Sequence, residues 1–408
     1  MGRLAQTPAL GGAAIPRLDG TVSLREIADR SQPVVREARS ASGRYTIAHQ
    51  LISCVIRLPA GSGMNRRRFM TALASAEVLL RQRRLRAEHH TTSADPLITA
   101  TDLASFSSYE TPLDDFYIRN HLSTPLAQQI NELTIDGEVR SPVALSLQRL
   151  NTLRPSEYEA VLECAGNAVS VEGQVGNGRW GGWLLCDVLA LAQPNPRATY
   201  LQLIGKDGYV RSVPLERAES DGMLITHLNG RPLTRYHGAP WRARFLGWYG
   251  MDSVKWLQHI RVSSQSLFST GSEYLIFRRS TTGAPEGELL PRIAVKSIIT
   301  LPRDGAVLSP GKLEVRGLAW SGEGPITAVE ISSDGGQTWK DSVFDVRANS
   351  KYSWVFWRGA LELVARGPVN IVCRAKDEKG NMQLPERDPT RLDGYVVNYY
   401  HSVRCVVV

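Results

Sequence analysis

The chain carries three textures of hydrophobic and polar positions. Residues 1–63 are rich in Ala, Arg, Gly and Ser and show little periodicity. From about residue 95 to 290, short apolar runs predict strands at Leu133–Ile135, Tyr158–Leu162 and Tyr200–Ile204. Within the same stretch Trp183–Ala190 has helical spacing, and the glycine-rich Gly173–Gly182 predicts a connection. From about residue 291, apolar and polar residues alternate at period two over Lys312–Trp320, Ala328–Ser332, Tyr352–Trp357 and Asn370–Ala375. Turn residues separate these runs at Asp334-Gly335-Gly336 and at Asp377–Asn381. Alternation places every second side chain on one face, so each run has a face to bury. Several such strands in succession predict an immunoglobulin-like β-sandwich. The expected fold class is α+β: an extension over 1–94, a mixed α/β domain over 95–290 and the sandwich over 291–408.

Composition narrows the partners. The 408 residues are 42% hydrophobic and 22% charged, ordinary values for a globular chain of two or three domains. The net charge of +8 suggests a polyanion partner until it is located. Residues 1–90 hold fifteen Arg and no Lys against six acidic residues, a balance of +9, which leaves −1 (8 − 9) for the remainder. Nucleic-acid binding is therefore not expected. The five cysteines, Cys54, Cys164, Cys186, Cys373 and Cys405, form no CxxC pair, which excludes zinc ribbons and thioredoxin-type sites, and no CxxCH for c-type haem attachment. No run is long enough to span a membrane. Met64-Asn65-Arg66-Arg67-Arg68-Phe69-Met70 has the paired arginines of a twin-arginine export signal, with Met64 as an alternative start to Met1. The Arg-rich residues 81–86 that follow equally suit a solvated basic helix. Periplasmic export is thus one expectation and a cytoplasmic protein the other.

Candidate chemistry centres on Cys164. The apolar run Ala160–Leu162 leads through Glu163 into Cys164, and Ala165-Gly166-Asn167 then turns the backbone, presenting one sulfur at the mouth of a sheet. A lone cysteine beside an apolar run is also a common small core residue. Against that, nearby cationic segments would favour the thiolate, a soft ligand suited to a transition metal. Tyr117-Ile118-Arg119-Asn120-His121 can hydrogen-bond an anion from several sides, or can simply cap a helix end. His237 and Arg242, on a loop fixed by Gly238 and Pro240, could face one phosphate. Ser253, Val254 and Lys255 form a third group, in which Lys255 is either a point charge in a site or a snorkelling side chain. No P-loop, HExxH or GxSxG is present, and no GxGxxG stands after a strand signal. A Cys–His hydrolase pairing Cys164 with His121 or His237 remains open.

Taken together, the RNH segment, the CAGN turn, Arg179-Trp180-Gly181-Gly182, the HGxPxR loop at His237–Arg242, Ser253–Leu257 (SVKWL), Gly317–Gly322 and Ser333–Trp339 resemble the sulfite oxidase family of molybdenum–pterin enzymes, over roughly residues 100–408. The resemblance implies a sulfite-oxidase-type molybdopterin domain followed by a dimerisation domain. Cys164 would be the protein ligand to molybdenum. Tyr117, Arg119, Asn120, His121, Asp207, His237, Arg242, Ser253, Val254 and Lys255 would hold the molybdopterin. Arg119 and Tyr274 would act on the substrate, a small anion for which sulfite is the expectation. Electrons would leave to a c-type cytochrome or another acceptor, since no HPGG stretch of a b5-type haem domain is present. A sulfoxide reductase and a non-catalytic relative are the rival expectations. Where sulfite oxidases place two arginines after CAGN, this chain has Ala168 and Val169, and Asp393 stands where the family has an arginine before a glycine. Arg391 stands close to Asp393, and Arg179 is the candidate to make up part of that charge.

Overall fold

A computed structural model describes residues 89–102, 106–125, 130–167, 172–266, 274–279, 286–345 and 351–408. The Met64–Met70 stretch and the Ala168-Val169 pair lie outside the described residues. Strands are numbered β and helices α in chain order.

A hairpin, β1 (His89–Ala94) and β2 (Leu97–Thr101), comes first. It borders the Tyr117–His121 segment: Thr99 N–H donates to Ile118 O and Asn120 N–H to Leu97 O. Two five-stranded sheets follow. One runs β4 (Val143–Ser146), β3 (Glu132–Gly137), β12 (Leu257–Ser263), β7 (Tyr200–Gly205), β8 (Val210–Pro214), and is antiparallel except for β3 against β12. The other runs β10 (Arg231–Pro232), β9 (Gly222–Leu228), β6 (Val175–Leu184), β5 (Ser156–Glu163), with β11 (Arg242–Phe245) also paired to β9. Alternation explains the first sheet. Leu133, Ile135, Leu201, Leu203, Ile260 and Val262 all point into one core cluster. Helix α2 (Leu185–Ala190) covers it with Leu185, Val188 and Leu189, the i, i+3, i+4 stripe of a helix with one buried face. Helix α3 (Leu215–Asp221) adds Leu215 and Ala218. With α1 (Leu147–Leu150), these are the α-helices among the described residues, and none is long and apolar enough to cross a membrane.

The structure is therefore more strongly β than the expected mixed α/β domain. Two local expectations are corrected. Gly173–Gly182, read as a connection, is mostly the central strand β6, and Trp183 and Leu184 extend it before α2 begins. The glycines are there because neighbours are close. A Cβ on Gly176 would sit 2.8 Å from the Phe116 ring, and one on Gly182 would sit 2.0 Å from the Leu224 carbonyl oxygen. Gly176, Gly178 and Gly181 do have GxGxxG spacing, but inside a strand, where they open no helix and cradle no phosphate.

A further hairpin, β13 (Leu275–Arg278) with β14 (Glu286–Leu289), leads to the C-terminal sheets. One is β15 (Lys296–Leu301), β17 (Gly311–Trp320), β21 (Val355–Leu363), β20 (Val343–Asp345). The other is β16 (Val307–Leu308), β23 (His401–Val407), β22 (Gly367–Asp377), β18 (Ile326–Ser332), β19 (Lys340–Asp341). Ile299, Val315 and Trp357 of the first share a core with Val329, Ile371, Cys373 and Cys405 of the second. The predicted strand at Tyr352–Trp357 starts later, at Val355, because Tyr352 bridges to Ala160 instead.

Candidate active site

Strand β5 ends at Glu163, and Cys164 opens the turn that follows. Its N–H donates to Gln174 O (2.9 Å), and its carbonyl accepts from Asn167 N–H (2.9 Å). Asn167 Oδ1 in turn accepts from Gln174 N–H (3.0 Å). The half-buried sulfur lies at the wall of a cleft with Tyr117, Arg119, Asn120, His121, Asp207, Arg242, Ser253, Lys255 and Tyr274. Residues spread over more than 150 positions of sequence thus line one cleft with Cys164.

Each cation is held by a neighbouring acceptor. Lys255 Nζ donates to Asn120 Oδ1 (2.6 Å) and Tyr236 O (2.8 Å), and Asn120 Nδ2 donates to Thr124 Oγ1 (3.0 Å). Arg242 donates to Ser253 O (2.7 Å) and His237 O (3.3 Å). Arg119 donates to Asn120 O. Burial, then the Arg242 charge, pulls the Lys255 ammonium well below its usual range, while Asp207 opposes this. Burial lowers Arg242 to about 10, so it keeps its charge at neutral pH. Burial also raises the Asp207 carboxyl. Burial, then Arg119, Arg211 and Lys255, lowers His121 to about 4 and leaves its ring neutral at pH 7. Burial raises the Cys164 thiol, while the Gly166 N–H and Arg119 act the other way.

His121 hydrogen-bonds the Tyr274 hydroxyl through Nε2 and lies flat on Tyr209, with ring centroids 4.9 Å apart and planes 3° from parallel. Burial raises the phenols of Tyr209 and Tyr274, so both remain protonated donors. Tyr209 lines the cleft without having been singled out in the sequence, and Met251 and Trp256, on either side of Ser253–Lys255, line it too. Behind them Asp252 accepts from Arg211 Nη2 (2.8 Å) and from Arg217, with Asp252 and Arg211 buried and Arg217 nearly so. Tyr209 immediately precedes β8 and Arg211 lies in it, and the sequence analysis singled out neither.

His237 and Val254 do not line the cleft. His237 engages Thr234 Oγ1 (2.7 Å) and Phe116 O (3.3 Å) with its ring nitrogens, and its carbonyl accepts from Arg242 (3.3 Å). Val254 packs into the core of the first sheet. Tyr117–His121 is irregular backbone, not a helix end. Arg179 is paired with Glu110 (3.1 Å) and Glu157 (3.3 Å), and Arg391 with Asp393, so neither lines the cleft as a replacement for a substrate-side arginine.

Residues 121–270 match the model of the oxidoreductase molybdopterin binding domain, and 289–407 match the Mo-co oxidoreductase dimerisation domain. The sulfite oxidase of Gallus gallus is 33% identical over 67% of this chain and 68% of its own length. The chain belongs to the sulfite oxidase family. The mitochondrial sulfite oxidase of Rattus norvegicus is 32% identical over 74% of this chain, which spans 62% of that relative. Among solved structures, the sulfane dehydrogenase SoxCD from Paracoccus pantotrophus superposes with a TM-score of 0.70 at 25% identity, over 79% of this chain and 88% of that one. The donor set of this sulfite oxidase family member suits the family's cofactor. It combines one soft sulfur with a surround of Arg119, Arg242 and Lys255, as a thiolate-bound metal on an anionic phosphate requires. Two buried atoms of the cleft residues, Arg242 Nε and Ser253 Oγ, find no hydrogen-bond partner among the described residues. A bound polar group that met them would remove a desolvation cost of about 1–3 kcal/mol each.

Proposed function

We propose that the protein is a molybdenum–molybdopterin oxidoreductase that oxidises sulfite to sulfate and passes the electrons to an external acceptor such as a c-type cytochrome, as a homodimer joined through its C-terminal module. The observation that carries this reading is the convergence of Cys164, Arg119, Arg242, Lys255 and Tyr274 on one cleft. Bound there, the cofactor would supply two-electron oxo transfer, with water as the oxygen source. Cys164 would hold the metal as thiolate, losing its proton on loading. Arg242, Lys255 and Asn120 would hold the phosphate, with Ser253 Oγ as a further donor. Arg119 would bind the sulfite oxygens, since a guanidinium presents paired donors to an oxyanion. Tyr274 would donate a hydrogen bond to the same anion, oriented by the neutral ring of His121. Export through Arg66–Arg68 belongs to the same proposal.

A second reading, oxidation of a sulfane sulfur, is favoured by Ala168 and Val169 standing where sulfite oxidases carry two arginines, and by the likeness to a sulfane dehydrogenase. Protein produced in a host that makes the cofactor is expected to carry molybdenum and pterin and to reduce cytochrome c with sulfite. Turnover only with a sulfane donor would select the second reading. Turnover only of methionine sulfoxide with reduced viologen would replace both with a reductase. Protein free of molybdenum would leave a non-catalytic relative.

A further inference from the structure

The strand that delivers Cys164 has two faces with different neighbours. Ala160, Leu162 and Cys164 belong to a cluster with Phe116, Tyr117 and Trp180 of the N-terminal module. Val161 and Ala165 belong to another, with Ile293, Ile298, Leu318, Trp320 and Trp354. Over Ala160–Cys164 the period of two thus splits the chain, one face toward the cleft and the other toward the C-terminal module, while Ala165, in the turn, touches both.

On that second face, consecutive odd positions are gripped by the C-terminal module. Val161 N–H donates to Tyr352 O (2.8 Å), and Ala165 O accepts from Val396 N–H (3.1 Å). Between them Glu163 has a side chain 3% exposed, and Lys296 Nζ lies 3.1 Å from its Oε1 with a side chain 7% exposed. Glu163 Oε2 accepts from Trp320 Nε1 (2.8 Å). Glu163 Oε1 also accepts from Asn167 Nδ2 (2.9 Å), which closes the carboxylate back onto the Cys164 turn. A carboxylate needs several donors to be buried at all, and here two of the three come from the other module.

We propose that Glu163 and Lys296 are positioning residues for the metal ligand: the C-terminal module fixes the depth and direction of the Cys164 sulfur through this buried ion pair. The inference rests on Cys164 being the ligand. The module matched as a dimerisation domain then completes the metal site from behind. Residues that orient a ligand from outside the coordination shell change metal affinity by about 10–100-fold when replaced.

The test compares Lys296→Met, Lys296→Arg and the double variant Glu163→Leu/Lys296→Met with Cys164→Ser, all as holoenzyme. It reads molybdenum retained per chain after dialysis, the thiolate-to-metal charge-transfer band and the thermal midpoint. Lys296→Met is expected to lower the midpoint and to lose metal about tenfold faster, and Lys296→Arg to restore both in part. The double variant leaves no unpaired buried charge, so its midpoint should recover while the faster metal loss and a shifted band persist. A double variant equal to the parent in all three readouts overturns the inference. Trp320→Phe, which removes one donor and no charge, decides the matter if the double variant does not fold: an unchanged band and retention overturn the inference, and a shift supports it. Should Cys164→Ser keep the band, the ligand reading itself fails. If Cys164→Ser loses the band while the Glu163, Lys296 and Trp320 variants keep it, the positioning inference fails alone.

Discussion

Asp252 holds together the wall behind the cleft, because Arg211 and Arg217 both donate to its wholly buried carboxylate. Asp252→Asn leaves two buried guanidiniums sharing a neutral amide, and removal of one member of such a group costs about 3–5 kcal/mol. A denaturant midpoint lowered to that extent, with a loosened Tyr274 environment in near-ultraviolet dichroism, is the expected result. A midpoint equal to the parent's would mean that solvent already screens the group. Arg119→Ala acts differently, since Arg119 is only half-buried and forms no ion pair among the described residues. Loss of a charge-assisted hydrogen bond to the substrate should raise KM for an anionic substrate about tenfold or more, leaving the thermal midpoint nearly unchanged. An unaltered KM places Arg119 outside the substrate pocket. At this scale the sequence was most readable where residue types are chemically unusual together: a cysteine at a Gly-Asn turn, Arg-Asn-His in a row, a lysine between Val254 and Trp256. It was least readable where a partner is remote. Nothing local marks Arg211 for Asp252, 41 positions away, or His237 for Thr234 and the Phe116 carbonyl, which its ring nitrogens meet.

Strands with one buried face were legible, and so was the largely buried β7 with its Leu and Ile residues, but the glycine-rich β6 was not. Strand β17 alternates because it packs one side only, with exposed and covered residues in turn over Lys312–Arg316. Strand β6 has no such rhythm. Nearly every residue in it is buried, and glycine replaces the apolar residues that would announce a central strand. Its glycines are spacers set by the approach of neighbouring chains, and this can be measured. Gly182→Ala puts a methyl 2.0 Å from the Leu224 carbonyl oxygen, so β6 and β9 must separate locally. Overpacking of this kind costs about 1–3 kcal/mol or more. Gly166→Ala, in the Cys164 turn, meets nothing within 4 Å and should leave the fold's stability within about 0.5 kcal/mol of the parent. Equal unfolding midpoints for the two variants would show that β6 is not as closely packed as its geometry states.

A second set of contacts joins the modules, and its central carboxylate makes it a test of pH dependence. Arg217, already on Asp252, lies 3.5 Å from the Trp248 ring, and Trp248 Nε1 donates to Asp221 (3.2 Å). Asp221, at the end of α3, also accepts from Arg292 and from the Tyr352 hydroxyl (2.9 Å), both from beyond the molybdopterin-binding segment. The chain of contacts therefore runs from the wall of the cleft to the residues that precede and enter the C-terminal sheets. Burial alone would raise the Asp221 carboxyl, but the hydrogen bonds from Arg292 and Trp248 outweigh it and hold the group below its ordinary value. A carboxylate depressed in the folded state stabilises fully above its unfolded pKa of about 3.9, and that contribution is lost as pH falls through the lower folded value. Asp221→Asn should accordingly be less stable than the parent at pH 7, by about 1.5–3 kcal/mol for hydrogen bonds to a charged group. The difference should begin to shrink below about pH 4, where the unfolded chain's carboxyl takes up its proton, and should level off once the pH passes the lower folded value and the folded carboxyl is protonated as well. Urea unfolding at pH 7 and pH 3 measures this directly. A difference that is the same at both values would mean that Asp221 joins the modules by shape and neutral hydrogen bonds, and that its charge contributes nothing.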